Sequence, residues 1–124
     1  MKKAILLSIV LAGTLFSVKP QSYPKAPGAI RLLTYNTHYC KGGYDPGEIN
    51  ESNVKKLAQV IKALDADVIA LQELDSASQS RRNRYLLHEI AEHTGIEYTD
   101  VYANAARFDK KGRIGCGALV RKNL

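Results

Sequence analysis

Cysteine is scarce in this 124-residue chain: there are two, Cys40 and Cys116. Two cysteines 76 positions apart exclude a disulfide framework, and their spacing is not that of a metal pair. A single bond between them stays open, with two small buried thiols as the other reading. No cysteine follows the apolar start of the chain, which argues against a lipoprotein anchor. Internal repeats and low-complexity segments are absent, which argues against a solenoid or a disordered tail. A strong charge of one sign is missing too. The formal net charge is +6, but residues 1–22 hold three lysines and no acids. The remainder carries 15 basic against 12 acidic residues, a net of +3. Such a balance permits an anionic partner without demanding one.

What is present begins with a short basic start, Met1-Lys2-Lys3, followed by the apolar run AILLSIVLAGTLFSV at 4–18. A charged segment before an apolar core too short for a comfortable bilayer crossing is the layout of a secretory signal. Residues 1–22 are therefore expected to be a signal peptide, cut somewhere between Gly13 and Ser22. Export to the periplasm or the extracellular space follows, with an uncleaved membrane anchor as the alternative. Three prolines in KPQSYPKAPGA make 23–29 the end of a linker, and the domain is expected over 30–124.

Within that domain, strands and helices alternate. IRLLTY at 30–35 is a short β-rich run, and the glycine-rich 40–50 reads as a loop. Apolar residues at Val54, Leu57, Ala58, Ile61 and Leu64 recur at helical steps, predicting a helix over 52–64 capped by Asn50 or Ser52. A second strand is expected at 67–72 and a polar loop at 76–82. A second helix is expected over 83–94, closed by Gly95. Two further strands, 97–103 and 114–121, flank RFDKKGR, which suits a hairpin turn. The fold class is thus α/β, in the broad α+β layered sense: one β-sheet layer with flanking helices.

Both early strands end in polar residues. Asn36 follows the first apolar run and Glu73 the second. If these strands are neighbours, both side chains emerge at one rim, where sites on such sheets lie. A carboxylate and an amide oxygen are hard donors suited to Mg²⁺. On spacing alone, the favoured reading is Glu73 as a loop cap and Asn36 as a turn residue. Asp75 reads either as a carboxylate that orients Glu73 or a water, or as a loop cap.

YNTH at 35–38, DVIALQELD at 67–75 and GCGALV at 115–120, with the helical YLLHEIAEHTG at 85–95 between them, resemble the endonuclease/exonuclease/phosphatase superfamily, the deoxyribonuclease I-like fold. The resemblance covers residues 30–124 and implies half of a four-layer α/β/β/α sandwich. It implies a metal-dependent phosphoesterase acting on phosphodiesters or phosphomonoesters. Glu73 then corresponds to the principal metal ligand and Asn36 to the amide beside it, both at the catalytic centre, with Mg²⁺ as cofactor or Mn²⁺ in its place. Arg81 and His38 are the candidates for binding substrate, Arg81 also reading as a solvated loop cation. His88 and His93 read as surface residues. Cys116 stands near a position where relatives carry an asparagine.

No S-D-H or D-x-N follows residue 75, and the family domain is roughly twice as long. The chain is therefore expected to be the N-terminal half of such a domain, inactive alone, its partner being the missing C-terminal half. The alternative is a short non-catalytic secreted binding module or one half of a split domain. Nucleic acid, phospholipid and small phosphates all remain open as substrate. Nothing in the sequence calls for haem, flavin or a nucleotide cofactor.

Overall fold

A computed structural model describes residues 23–41, 49–79 and 82–124. The signal expected over 1–22 and the candidate Arg81 lie outside the described residues. Four strands form one mixed sheet: β1 (Leu32–Asn36), β2 (Val68–Ser76), β3 (Tyr98–Arg107) and β4 (Arg113–Arg121). Their spatial order is β1-β2-β4-β3. β1 runs parallel to β2, and β4 is antiparallel to both β2 and β3. The parallel pair needs a crossover, which α1 (Glu51–Ala63) supplies. α2 (Leu86–Thr94) connects β2 to the β3–β4 hairpin.

Both helices pack on the same sheet face. Val54, Leu57 and Ile61 of α1 join Leu86, Leu87 and Ile90 of α2 over Ile69, Leu71, Leu74 and Leu119 of the sheet in one buried cluster. Glycine makes the fit of α2 feasible: a Cβ on Gly117 would come within 2.6 Å of Leu87 and 2.8 Å of Leu74. Asn50 caps α1, its Oδ1 accepting from the Ser52 N–H at 2.9 Å. Gly95 closes α2 in the left-handed conformation, φ 66°.

The opposite sheet face is open and largely apolar. Leu32, Val68 and Val120 lie across it in register, followed by Ala70, Ala118 and Val101. Leu32 is 73% exposed and Val101 60%.

Several boundaries differ from the expectation. β1 begins at Leu32 and includes Asn36. β2 does not end at Gln72 but continues opposite β4 to Ser76, with a register shift between Leu71 and Leu74. One extra residue in β2 breaks the two-residue alternation that would have marked a strand. α2 begins at Leu86 rather than 83, because Arg82 and Asn83 take left-handed φ of 65° and 53° and Tyr85 bridges back to Ser76. β3 and β4 are longer than expected and form the expected hairpin. Both cysteines are free. Cys40 is buried, with its thiol pushed up to about 11 by desolvation, whereas Cys116 is exposed. The reading of two buried thiols fails at Cys116 because it alternates with Gly115 and Gly117, which take the covered face.

Candidate functional site

The parallel register aligns Asn36 with Gln72, so β1 ends one residue before Glu73. Thr37 fixes the junction twice. Its N–H donates to the Gln72 carbonyl at 2.9 Å and its Oγ1 to the Glu73 carbonyl at 2.7 Å. Thr37 is itself buried. Gln72 Nε2 donates to Thr34 Oγ1 at 3.1 Å, a further tie between the strands. Asn36 and Glu73 are thereby held at one rim of the sheet, on adjacent strands. Nothing in the sequence reading singled out Thr37. A threonine directly after a strand, able to bond a neighbouring carbonyl, was the available signal.

Glu73 occupies the bulge. Leu71 and Leu74, both fully buried, grip the strand on either side of the extra residue. Gln72 and Glu73 fall between these anchors, and Glu73 takes φ 53°. Bulges re-aim side chains and gather near active sites. A non-glycine residue in the left-handed region costs on the order of 1–3 kcal/mol, which the surrounding packing must offset. Similar strain lies just across the rim: His38, Tyr39 and Cys40 have φ of 45°, 53° and 53°. That turn closes through the Cys40 N–H to the Thr37 carbonyl at 2.9 Å.

Asn36 Oδ1 accepts from the His38 N–H at 2.9 Å, which orients the amide and leaves its oxygen a second lone pair. His38 is exposed and stacks obliquely near Tyr39, with ring centroids 6.3 Å apart. Asp75 lies deeper than Glu73 and is fully buried, with its carboxylate accepting from the Ser78 hydroxyl and from the Ser78 N–H. It therefore ties down the loop after β2. Burial, and secondarily the charge of Asp75, pushes the nearby Tyr102 hydroxyl up to about 12. His93 pairs with Glu51 at 3.2 Å and His88 is exposed, both away from the rim.

One carboxylate and one amide oxygen fit the small protein contribution that Mg²⁺ accepts, the rest of its octahedron being water and phosphate oxygens. Among the described residues no group of three or more His, Cys, Asp and Glu side chains is placed to hold a metal ion.

Helices on one face of a mixed four-stranded sheet define a layered α/β protein. Residues 33–124 match the endonuclease/exonuclease/phosphatase family model, and the chain belongs to that family. Its members hydrolyse phosphate esters, commonly with divalent metals. A solved structure, an endonuclease/exonuclease/phosphatase family protein from Leptotrichia buccalis C-1013-b, is similar at TM-score 0.53 and 23% sequence identity. The match covers 75% of this chain and 38% of that one, so this chain spans well under half of that protein's length. No curated protein matches the sequence.

Proposed function

We propose that this protein contributes the carboxylate–amide half of a metal-dependent phosphoesterase site, with Glu73 and Asn36 as the residues that hold a divalent cation. The observation that carries the proposal is the strained bulge at Glu73, one residue past the Asn36–Gln72 pair that ends β1. Mg²⁺ bound there would polarise a phosphoryl oxygen and stabilise charge on the leaving oxygen. The chain's own residues do the positioning. Thr37 locks the two strand ends together. The His38 N–H fixes the Asn36 amide, and Leu71 and Leu74 fix the bulge. His38 and Arg81 are the side chains proposed to meet the substrate phosphate.

The apolar open face is the surface on which a second β layer, completing an α/β/β/α sandwich, would pack. Residues 1–124 alone are expected to bind metal and to turn over no phosphodiester, because one carboxylate is present without a positioned base. The basic and apolar start of the chain supports export. Among the described residues no helix is long and apolar enough to cross a membrane.

Thermal unfolding with and without Mg²⁺ tests the proposal. At a concentration ten times its Kd, Mg²⁺ should stabilise the wild type by about 1.4 kcal/mol. Glu73→Gln should lose that gain while keeping the metal-free midpoint. An equal Mg²⁺ gain in both proteins would rule Glu73 out as the ligand.

A further inference from the structure

A pocket of about 420 Å³ opens between the end of β1 and α1, and it shares Asn36 with the rim described above. One wall is the ring of Tyr35, 52% exposed, on the strand. The facing wall comes from α1, where Asn53, Lys56, Leu57 and Val60 follow one another at steps of three, one and three residues. That spacing puts them on one stripe of the helix, alongside the stripe that enters the core. Val60 is 51% exposed, so apolar surface on both walls faces the gap rather than the core.

The polar groups around the pocket have a bias. Lys56 and His38 are basic, Asn36 and Asn53 are amides, and none of the described residues lining it is a carboxylate. Among the described residues no acid pairs with Lys56. An apolar body with a few convergent polar groups, in this volume range, is the usual make-up of a small-ligand site. The charge bias selects an anion, and the exposed tyrosine ring selects a flat, apolar body for it to carry.

We infer that this pocket is a subsite for the non-reacting part of the substrate, and that the substrate is a phosphate ester bearing a planar ring, of aryl or nucleoside type. The inference rests on the phosphoesterase reading and deepens it. The ring lies between Tyr35 and the Leu57–Val60 wall, gaining aromatic and apolar contact. The Lys56 ammonium meets the anionic group as a compact, mobile point charge. Asn36 is common to the pocket and the rim, so a ligand seated here lies next to the strand end at which the metal site is proposed. Tyr35 and Lys56 are thus specificity residues, distinct from the proposed metal ligands.

The test is binding without divalent metal, so that it stands apart from the metal reading. Phenyl phosphate, hexyl phosphate and inorganic phosphate are titrated into the full chain, with amide signals of Tyr35, Lys56 and Val60 followed by nuclear magnetic resonance. Phenyl phosphate is expected to bind tightest and to shift all three signals. Lys56→Ala should weaken it about tenfold, the worth of one charge-assisted contact. Tyr35→Ala should weaken phenyl phosphate while leaving inorganic phosphate unchanged, and both positions are exposed enough for the variants to fold. Lys56→Ala and Tyr35→Ala should keep the wild-type response to Mg²⁺, which is read in a separate titration. If Lys56→Ala and Tyr35→Ala weaken phenyl phosphate binding but keep the Mg²⁺ response, both readings stand. If no variant or wild-type protein responds to Mg²⁺ yet phenyl phosphate binds as described, the metal reading falls and the ring-phosphate site remains. Equal affinity for phenyl and hexyl phosphate, or shifts confined to residues outside the pocket, overturns the inference.

Discussion

The two ends of the β1–β2 pair are built on opposite principles. At the end where both strands begin, charges are matched. The Arg31 N–H donates to the Asp67 carboxylate at 2.8 Å, and Lys25 reaches the same carboxylate at 2.9 Å. Arg121, arriving on the antiparallel β4, reaches Asp65 at 2.6 Å, and its backbone N–H donates to the Asp67 carbonyl at 2.8 Å. Tyr98 Oη donates to the Ala66 carbonyl at 2.7 Å. At the end where both strands stop, residues in left-handed conformations cluster and no described side chain neutralises Glu73. One end spends its polar groups on holding the sheet. The other leaves the Glu73 carboxylate without a partner among the described residues, at the cost of backbone strain. Such an asymmetry is expected when stability and chemistry are assigned to opposite ends of the strands.

The largest effect is expected where the strained end is anchored. Leu74→Ala removes a fully buried side chain beside the bulge and should cost about 2–5 kcal/mol. Chemical denaturation measures this. The same variant should weaken Mg²⁺ binding, because it loosens the grip that aims Glu73. A bulge held by its hydrogen bonds alone would leave the metal affinity untouched.

Next comes the matched end. The Arg31 N–H and then Lys25 hold the Asp67 carboxyl below its ordinary 3.8. The folded state therefore favours the ionised form. Its stabilisation is fully present above about pH 4 and is lost as pH falls through the depressed folded value. Asp67→Asn should lower the thermal midpoint at pH 7 and flatten its fall below pH 4, without altering Mg²⁺ binding. A variant that also lost the metal would show that the two ends are not separable.

The smallest effect is relief of strain. Glu73→Gly gives the left-handed position a residue that accepts it, and should raise stability by about 1 kcal/mol or less, since glycine also loosens the unfolded chain. Metal binding should vanish in the same protein. Loss of stability instead would mean that the Glu73 side chain contributes packing not visible in the burial of its neighbours.

Much of this contrast could be read from the sequence, and the unread part has physical causes. Helical periodicity located α1 and its Asn50 cap, and the paired polar strand ends pointed to Asn36 and Glu73 together. The bulge could not be read, because it consists of a broken alternation: Leu71 and Leu74 share a face only when one residue is extruded between them. The left-handed pair Arg82–Asn83 keeps α2 from starting before Leu86, where the apolar spacing itself begins. Asp75 was undecided between orienting Glu73 and capping a loop, and its carboxylate engages Ser78 in the loop that follows. The matched end went unnoticed for a different reason. Lys25, Arg31, Asp65, Asp67 and Arg121 are far apart in sequence, and only the sheet topology gathers them. The β1–α1 pocket depends in the same way on Tyr35 facing a helix stripe some twenty residues later.

The central claim is that the rim formed by Asn36 and Glu73 holds a divalent cation. Electron paramagnetic resonance of Mn²⁺ titrated into the full chain tests it most directly, since bound and free ions are counted separately. One Mn²⁺ should bind per wild-type chain and be displaced by excess Mg²⁺. Glu73→Gln should bind none, and Asn36→Ala should bind more weakly, about tenfold for one lost ligand contact. Undiminished binding of one Mn²⁺ by Glu73→Gln would contradict the account.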